Sequence, residues 1–387
     1  MNSGGLKVLM ISSDRNILTP GSAVSERMKE YGALVEELHI VLLCDRSHTK
    51  SLGIESSKLK IAEGVHVYPT NSSYKYFRPL DAVKIGKKIV LKNKFVRGLS
   101  VITVQDPFEC GWAGLKIKNK WRIPLEVQLH TDPYSNNFKG LQNLARRRQL
   151  GRTLGAADSV RVVSQFLKEK VSQSTPAPVT VLPIFVDRTR IENAPLSFDI
   201  HTLYPWHFII LMVCRLEPEK NIPLALNILK GVRERFPDAG LLIVGKGSQE
   251  GNLKSLVKKL GLEGAVEFAG WQENLASYYK SANAFLQTSL FEGYGLALVE
   301  AGLSGLPVVT TPVGLASELG PGKDAYIYTA TETSLFIDGL CDLIENNQKR
   351  ENLRLNLRKT LEAKLLSKED YLQRLKEEWE ETSKRIK

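Results

Sequence analysis

Glu292 and Glu300 stand with seven residues between them in FEGYGLALVE (291–300), one in a Gly-rich turn and one inside an apolar run that reads as a helix start. Carboxylates are seldom buried without a partner, because removing the charge from water costs several kcal/mol. Something polar should meet both. Earlier in the chain, CRLEPEKN (214–221) sets Arg215 and Lys220 between the apolar run FIILMV and a helix beginning near Asn221. Two cations beside the free N–H groups of a helix N-terminus suit a diphosphate, the guanidinium binding oxygens bidentately and the ammonium adding a point charge. A pair of solvated loop charges is the plainer reading. In GKGSQEG (245–251), Gly245 and Gly247 permit a tight turn and close backbone approach to a ligand, although a structural turn explains them equally. The third glycine, Gly251, falls one place late for a dinucleotide fingerprint and no acidic ribose ligand is evident, so a nicotinamide oxidoreductase has weak support. The turn Glu292-Gly293-Tyr294-Gly295, leading into a helix near Leu296, again offers N–H groups to an anion. Glu292 would repel a phosphate directly, so neutral hydroxyls are its better partner, and Glu300 would hold a ribose diol. Phosphate between two rings, one glutamate for each, describes a nucleotide sugar.

These residues need strands that end beside them. The chain has 387 residues, 43% hydrophobic and 25% charged, enough for two α/β domains and too apolar for a disordered or fibrous class. LKVLMI, HIVLLC, VHVYP, LSVITVQ, PLEVQLH and SVRVVS alternate with helical segments such as SAVSERMKEYGALVEE, the pattern of a parallel sheet covered on both faces. After VTVLP (179–183) the pattern loosens through residues 184–207, where a linker is expected, and then restarts with HFIILMV. We expect an acceptor-side domain over 1–187 and a donor domain over 205–369, both Rossmann-like and doubly wound, facing a central cleft. A charged helix at about 370–387, with Tyr371, Leu372, Leu375 and Trp379 at helical spacing, is expected to pack back on the first domain. Open α/β sheets bind ligands beyond the carboxyl ends of their strands, which is where the motifs above fall.

The longest apolar runs are strand-sized, far short of the roughly 20 residues that cross a bilayer. The start, MNSGGLKVLMISSD, has no basic region followed by an apolar core, so it reads as a tail and first strand, and a cytoplasmic protein is expected. Cys44, Cys110, Cys214 and Cys341 have no paired spacing and fit reduced thiols. The formal charge is +11, and KIGKKIVLKNKFVR (84–97) holds six basic residues and no acid. A helix there suits an anionic membrane surface, which would make the protein peripheral on the inner face, or is simply the solvated face of a core helix. Nucleic acid is not expected as a partner, because no module for it accompanies the charge.

SLFEGYGLALVEAGLSGLPVVTTPVG, together with CRLEPEKN, IVGKGS and VEFAG, resembles the donor-site segment of the large retaining glycosyltransferase family four, glycosyl transferases group 1, which has the GT-B fold. The resemblance is strong over the second half and weak over the first. It implies that Arg215 and Lys220 neutralise the donor diphosphate, that Glu300 binds the nucleotide ribose, and that Glu292 contacts hydroxyls of the transferred sugar. Backbone amides around Tyr294, Gly295 and Leu296 would touch sugar and phosphate. Gly21 and Ser22, in Pro20-Gly21-Ser22, match the glycine-containing loop facing the diphosphate, and His130 matches the histidine beside the sugar. Tyr294 replaces the commoner phenylalanine, and Ile184-Phe185 stand where Asn-Gly is usual. Trp271 and Glu273 are candidates for base recognition.

The expected reaction moves a hexosyl unit from a nucleoside-diphosphate sugar to a hydroxyl of a glycan, polysaccharide or lipid-linked saccharide with retention. Front-face attack is favoured, the departing phosphate taking the acceptor's proton and His130 orienting the reactants. No Asp-x-Asp pair is present, so no metal and no cofactor are expected; protein charge would meet the leaving group. The rivals are an epimerase or phosphorylase of the same build, and a non-catalytic sugar-nucleotide or membrane-binding protein.

Overall fold

The computed structural model describes residues 5–134 and 141–385. The chain forms two compact units, one of Met1–Pro183 with Ser367–Lys387 and the other of Ile184–Leu366. In the first, strands β1 (Lys7–Ser12), β2 (Glu37–Leu42), β3 (Leu59–Ala62), β4 (Val65–Pro69), β5 (Ser100–Val104), β6 (Leu125–Leu129), β7 (Ser159–Val162) and β8 (Val179–Val181) make one sheet in the order β3-β4-β2-β1-β5-β6-β7-β8. The pairing is parallel except for β3, which runs antiparallel to β4. SVITV of β5 and LEVQL of β6 are buried along their whole length, as strands covered on both faces must be. β3 has no counterpart among the expected strands. LKIA is a half-exposed edge strand of four residues, too short and too weakly alternating to announce itself.

Helices α1 (Ala23–Gly32), α2 (Arg46–Ser51), α3 (Arg78–Lys92), α4 (Glu109–Trp121), α5 (Leu141–Ala156) and α6 (Gln165–Ser172) complete the amino-terminal part of this unit. The basic run at 84–97 is not one helix. α3 stops at Lys92, and Lys94 turns back with a φ of 51°. Its Ile89, Val90 and Phe95 are buried while Lys84, Lys88, Lys92 and Lys94 are exposed, so the run is the wet face of a helix that covers the core.

The second unit has strands β9 (Phe208–Val213), β10 (Ala239–Val244), β11 (Val266–Gly270), β12 (Ala284–Gln287), β13 (Val308–Thr310) and β14 (Tyr326–Ile327), all parallel, in the order β11-β10-β9-β12-β13-β14. Its helices are α7 (Arg188–Asn193), α8 (Ile222–Arg235), α9 (Glu250–Leu260), α10 (Ala276–Ser281), α11 (Leu296–Leu303), α12 (Thr333–Glu345) and α13 (Asn347–Lys364). The segment expected as a linker belongs to this unit from Ile184 onward. Glu192 pairs with Arg358 at 2.8 Å, Lys280 Nζ donates to the carbonyls of Glu192 and Ala194 at 2.7 and 2.5 Å, and the Ser197 N–H donates to Ser277 Oγ at 2.8 Å. These polar anchors act beside isolated buried apolar residues, Val186, Ile200 and Trp206, whose irregular spacing gives no periodicity.

The charged carboxyl-terminal stretch is two helices, broken between Leu365 and Ser367, where Ser367 caps α14 (Lys368–Lys384) by accepting from the Asp370 N–H. α14 is grouped with the first unit. Tyr371, Leu375 and Trp379 are buried, Leu372 is half-buried, and the Tyr371 hydroxyl meets that of Tyr31 at 2.7 Å.

Candidate functional site

In the second unit the strand order reverses at β9 and β12, which lie side by side. A doubly wound sheet opens a crevice at that point. Arg215 and Lys220 follow β9, and the turn carrying Glu292 follows β12. The loop between β9 and α8 is a single 3-10 turn, Pro218–Lys220, after which Asn221 takes a positive φ of 49°, a conformation asparagine tolerates better than most residues. Buried Thr288 fixes it, its Oγ1 donating to the carbonyls of Lys220 and Asn221 at 3.0 and 3.1 Å. Thr311 does the same on the other side, its Oγ1 donating to the Ser289 carbonyl at 2.6 Å.

Lys220 Nζ lies 2.6 Å from Glu292 Oε1, and the Ser289 hydroxyl donates to the same oxygen at 2.7 Å. The polar partners expected for Glu292 are thus supplied by the protein itself, on one carboxylate oxygen. Among the described residues no hydrogen bond engages Oε2. Both side chains of the pair are about 15% exposed, 14% and 15%, so the pair is largely dry yet reachable. Arg215 is likewise paired, its Nη2 2.8 Å from Glu219 Oε1, but its guanidinium is 72% exposed and its remaining donors face water. Glu300, one helix turn beyond the start of α11, accepts from the Tyr279 hydroxyl at 2.9 Å. Burial raises the Glu300 pKa above the ordinary carboxylate value, and the Tyr279 hydrogen bond and the Arg190 charge pull it partly back. Burial also pushes the neighbouring Cys214 thiol up to about 12, so it stays protonated at neutral pH.

Gly295 enters α11 with a φ of 95°, a conformation that favours glycine, and Leu296 is the first helical residue. Tyr294 is buried, and its carbonyl accepts from the Leu315 N–H at 2.7 Å. Gly245 and Gly247 have a packing reason of their own. A Cβ on Gly245 would lie 1.9 Å from the Cys214 carbonyl oxygen, and one on Gly247 would lie 2.4 Å from that of Leu216. The Gly245 N–H is spent on the Gly270 carbonyl at 2.8 Å. This loop therefore backs the Arg215 turn; Glu217 ties the two together by accepting from the Ser248 N–H and hydroxyl at 3.0 and 2.7 Å. Trp271 is 65% exposed.

In the first unit, Gly21 has a φ of 76° and Ser22 caps α1, its hydroxyl accepting from the Ser25 N–H at 3.1 Å and donating to the Asn16 carbonyl at 2.6 Å. His130 follows β6 and lines a cavity of about 350 Å³ with Ser13, Gln105, Phe108 and Arg146. Its Nε2 is 3.1 Å from Gln128 Oε1, an oxygen that only accepts, since the Gln128 amide donates to Thr103 Oγ1 at 2.6 Å and to Glu126 Oε1 at 3.2 Å. The proton therefore sits on Nε2 and leaves Nδ1 as an acceptor. His130 is exposed at the surface, and the dense protein around it still disfavours the charged imidazolium. That desolvation, with the charges of Arg161 and Arg27, lowers the pKa to about 4, so the imidazole is neutral at pH 7. Ser289, Glu219, Tyr279 and Gln128 were not legible as site residues. Gln128 lies within β6 and Ser289 just after β12, both buried polar residues with no motif to mark them, and Tyr279 reaches Glu300 only through folding. Among the described residues no three His, Cys, Asp or Glu side chains group at metal-holding distances, and no helix is long and apolar enough to cross a membrane.

Two family models match the chain: Glycosyltransferase Family 4 over residues 32–190 and Glycosyl transferases group 1 over residues 195–360. An uncharacterised glycosyltransferase of Haemophilus influenzae is 27% identical over 339 residues, 85% of this chain and 88% of that protein. Other relatives match over less of their own length. A glycosyltransferase of Methanocaldococcus jannaschii is 31% identical over 32% of this chain and 30% of that protein, and the D-inositol 3-phosphate glycosyltransferase of Paenarthrobacter aurescens is 28% identical over 63% of this chain and 64% of that protein. Among solved structures, Anabaena Alr3699/HepE in complex with UDP superposes with a TM-score of 0.75 at 20% identity, covering 96% of this chain and 99% of its own. Sucrose-phosphate synthase of Thermosynechococcus elongatus gives 0.79 at 17% identity, covering 97% and 98%. The two matched segments account for most of both units, and the chain belongs to the glycosyl transferases group 1 family, with the two Rossmann-like units of the GT-B fold.

Proposed function

We propose that this chain is a retaining, metal-independent glycosyltransferase that moves a hexosyl unit from a nucleoside-diphosphate sugar to a hydroxyl acceptor in polysaccharide or lipid-linked saccharide synthesis. The observation that carries the reading is the Lys220–Glu292–Ser289 group at the carboxyl ends of β9 and β12, with one carboxylate oxygen held by protein donors and the other open. Such a carboxylate accepts a sugar hydroxyl without becoming an unpaired buried charge. Lys220 and the exposed guanidinium of Arg215 meet the charge that develops on the departing diphosphate, a preorganised effect worth several kcal/mol. The amides at Tyr294, Gly295 and Leu296 add to it, Glu300 accepts from the ribose diol, and Gly245 and Gly247 shape the loop behind the diphosphate. Gly21 and Ser22, where α1 begins, are assigned a diphosphate contact from the family resemblance of Pro20-Gly21-Ser22. Neutral His130, acceptor at Nδ1, orients sugar and acceptor hydroxyl while the leaving phosphate takes the proton. No cofactor is needed, because the nucleotide sugar carries its own leaving group.

The complexes of Anabaena HepE contain UDP and UDP-glucose, which makes uridine the first base to test. A thermal-shift panel of uridine, guanosine and adenosine diphosphates should stabilise the protein with one base preferred, since ligand at about 100 times its dissociation constant adds roughly 2.7 kcal/mol. No shift with any of them sinks the reading. We also place the exposed lysines of residues 84–97 against an anionic membrane surface. Sedimentation with anionic vesicles should weaken when Lys87, Lys88, Lys92 and Lys94 are neutralised, and equal sedimentation rejects that contact.

A further inference from the structure

At the amino ends of β5, β6 and β7, the end of the sheet opposite His130, the first unit has an open pocket of about 390 Å³ lined by Arg97, Lys118, Asn119, Arg122, Asp158 and Arg385. We propose that it binds a phosphate-bearing anion, at a site separate from the donor residues and independent of the transferase reading.

Four cations surround the space and the one acid among its lining residues is already used. Asp158 accepts from Lys118 Nζ at 2.5 Å and from the Leu125 N–H at 2.7 Å, and Lys118 gives a further hydrogen bond to the Ala156 carbonyl at 2.6 Å. Three guanidiniums remain. Among the described residues Arg97 and Arg122 have no carboxylate partner. Arg385 reaches only Glu381, at 3.9 Å, and its Nε is buried with no hydrogen-bond partner. Gathering like charges without counterions costs free energy, which a bound dianion recovers, and the guanidinium fork matches phosphate oxygens two at a time.

The backbone brings the segments that carry these side chains together. The Gly98 N–H donates to the Ser383 carbonyl at 3.2 Å and the Ser383 hydroxyl donates back to the Gly98 carbonyl at 3.1 Å, which fixes the neighbours Arg97 and Arg385 to one another. Arg122 caps α4 in the left-handed region, φ 54°, where glycine is preferred; the chain accepts backbone strain there and keeps an arginine. The carbonyls at the end of α4 disfavour an anion, a modest effect against Arg97 and Arg122, which among the described residues have no carboxylate partner, and Arg385, whose partner is 3.9 Å away. At about 30 Å³ per water, the pocket has room for a phosphate with a small organic group attached. A soluble phosphate ester and the headgroup of a phospholipid share that chemistry.

The full chain is titrated by calorimetry with inorganic phosphate and with glycerol 3-phosphate, and sedimented with phosphatidylcholine vesicles with and without phosphatidate. The comparison protein carries Arg97→Ala and Arg122→Gly, the glycine relieving the positive φ so that folding is not at risk. We expect wild type to bind at least one phosphate probe and the double variant to lose at least about tenfold in affinity. Binding of the soluble probes assigns a free phosphate, and binding only to phosphatidate vesicles assigns a lipid headgroup. The variant neutralised at Lys87, Lys88, Lys92 and Lys94 should keep the phosphate site whatever it does on vesicles. No binding of any probe, or equal binding by the double variant, overturns the site.

Discussion

Glu292 and Lys220 form a largely buried pair at the ends of β9 and β12, where the proposed function gives them work beyond stability. Each partner alone would be an uncompensated charge in a largely dry place, and together they cost the fold little. Removing either one while keeping its neighbour should therefore injure chemistry and local order at once. Glu292→Gln keeps the shape and the Ser289 hydrogen bond but weakens the acceptor. Lys220→Ala removes the charge offered to the leaving group. Each should lower transfer at least tenfold, a loss of about 1.4 kcal/mol in the transition state, measured as kcat/KM with a confirmed acceptor. Wild-type rates in both variants would refute the roles given to them. The Gln variant, which leaves Lys220 without its counterion, should melt below wild type yet still unfold in one cooperative transition above the assay temperature, which separates a catalytic loss from an unfolded protein.

At the scale of elements, the loop after β10 supports the loop after β9. Leu216 N–H donates to the Lys246 carbonyl at 3.0 Å, and the Gln249 N–H donates to the Leu216 carbonyl at 3.0 Å, so the two strand ends are laced backbone to backbone. Gly247 sits within this lacing. Its missing Cβ is what allows Leu216 to come so close. Gly247→Ala should cost about 1–3 kcal/mol of stability by overpacking against an immobile backbone. It should also displace Arg215, seen as weaker nucleoside-diphosphate binding with Glu292 and Lys220 untouched. Full stability in a thermal melt would show that the backbone yields and that the glycine is there for some other reason. The 84–97 segment shows the opposite relation of sequence to element. Its six cations suggested one amphipathic helix, yet Gly86, Ile89 and Val90 face the core and the helix ends at Lys92, which leaves the charge on the outside.

For the molecule as a whole, the chain leaves the first unit at Pro183 and returns at Ser367, so α14 completes a unit begun far earlier in sequence. Its contacts are a mixture of large aromatics and buried charge. Trp379 is fully buried against Tyr31, edge to face with ring centres 5.9 Å apart. Arg161 lies 3.6 Å from both Glu126 and Glu378. Burial raises the Glu378 pKa from 4.5 to about 7, with Glu126 adding to the rise and Arg161 opposing it. Below about pH 4.5 folded and unfolded chains both hold this proton; as pH rises towards 7 the unfolded chain gives it up first, so stability falls across that window. Glu378→Gln should remove this slope, so its melting temperature should gain on wild type by a few degrees between pH 5 and pH 8. Parallel pH profiles for the two proteins would show that Arg161 fully compensates the carboxylate.

The alternation of apolar runs and helical segments determined the two α/β units on its own, because strands covered on both faces need continuous β-branched runs and the helices between them need a 3.6-residue period. The placement of Arg215, Lys220, Glu292 and Glu300 in or just beyond loops at strand ends was legible for the same reason, because ligands in this architecture bind beyond the carboxyl ends of the strands. What local pattern does not encode is the partner of a polar side chain. The Lys220 and Ser289 hydrogen bonds to Glu292, the Tyr279 hydroxyl on Glu300, the anchoring of residues 184–204 to the second unit and the gathering of Arg97, Arg122 and Arg385 around one pocket all join positions distant in sequence. Hydrogen bonds and ion pairs have no periodicity along the chain, so only the folded backbone decides which of them form.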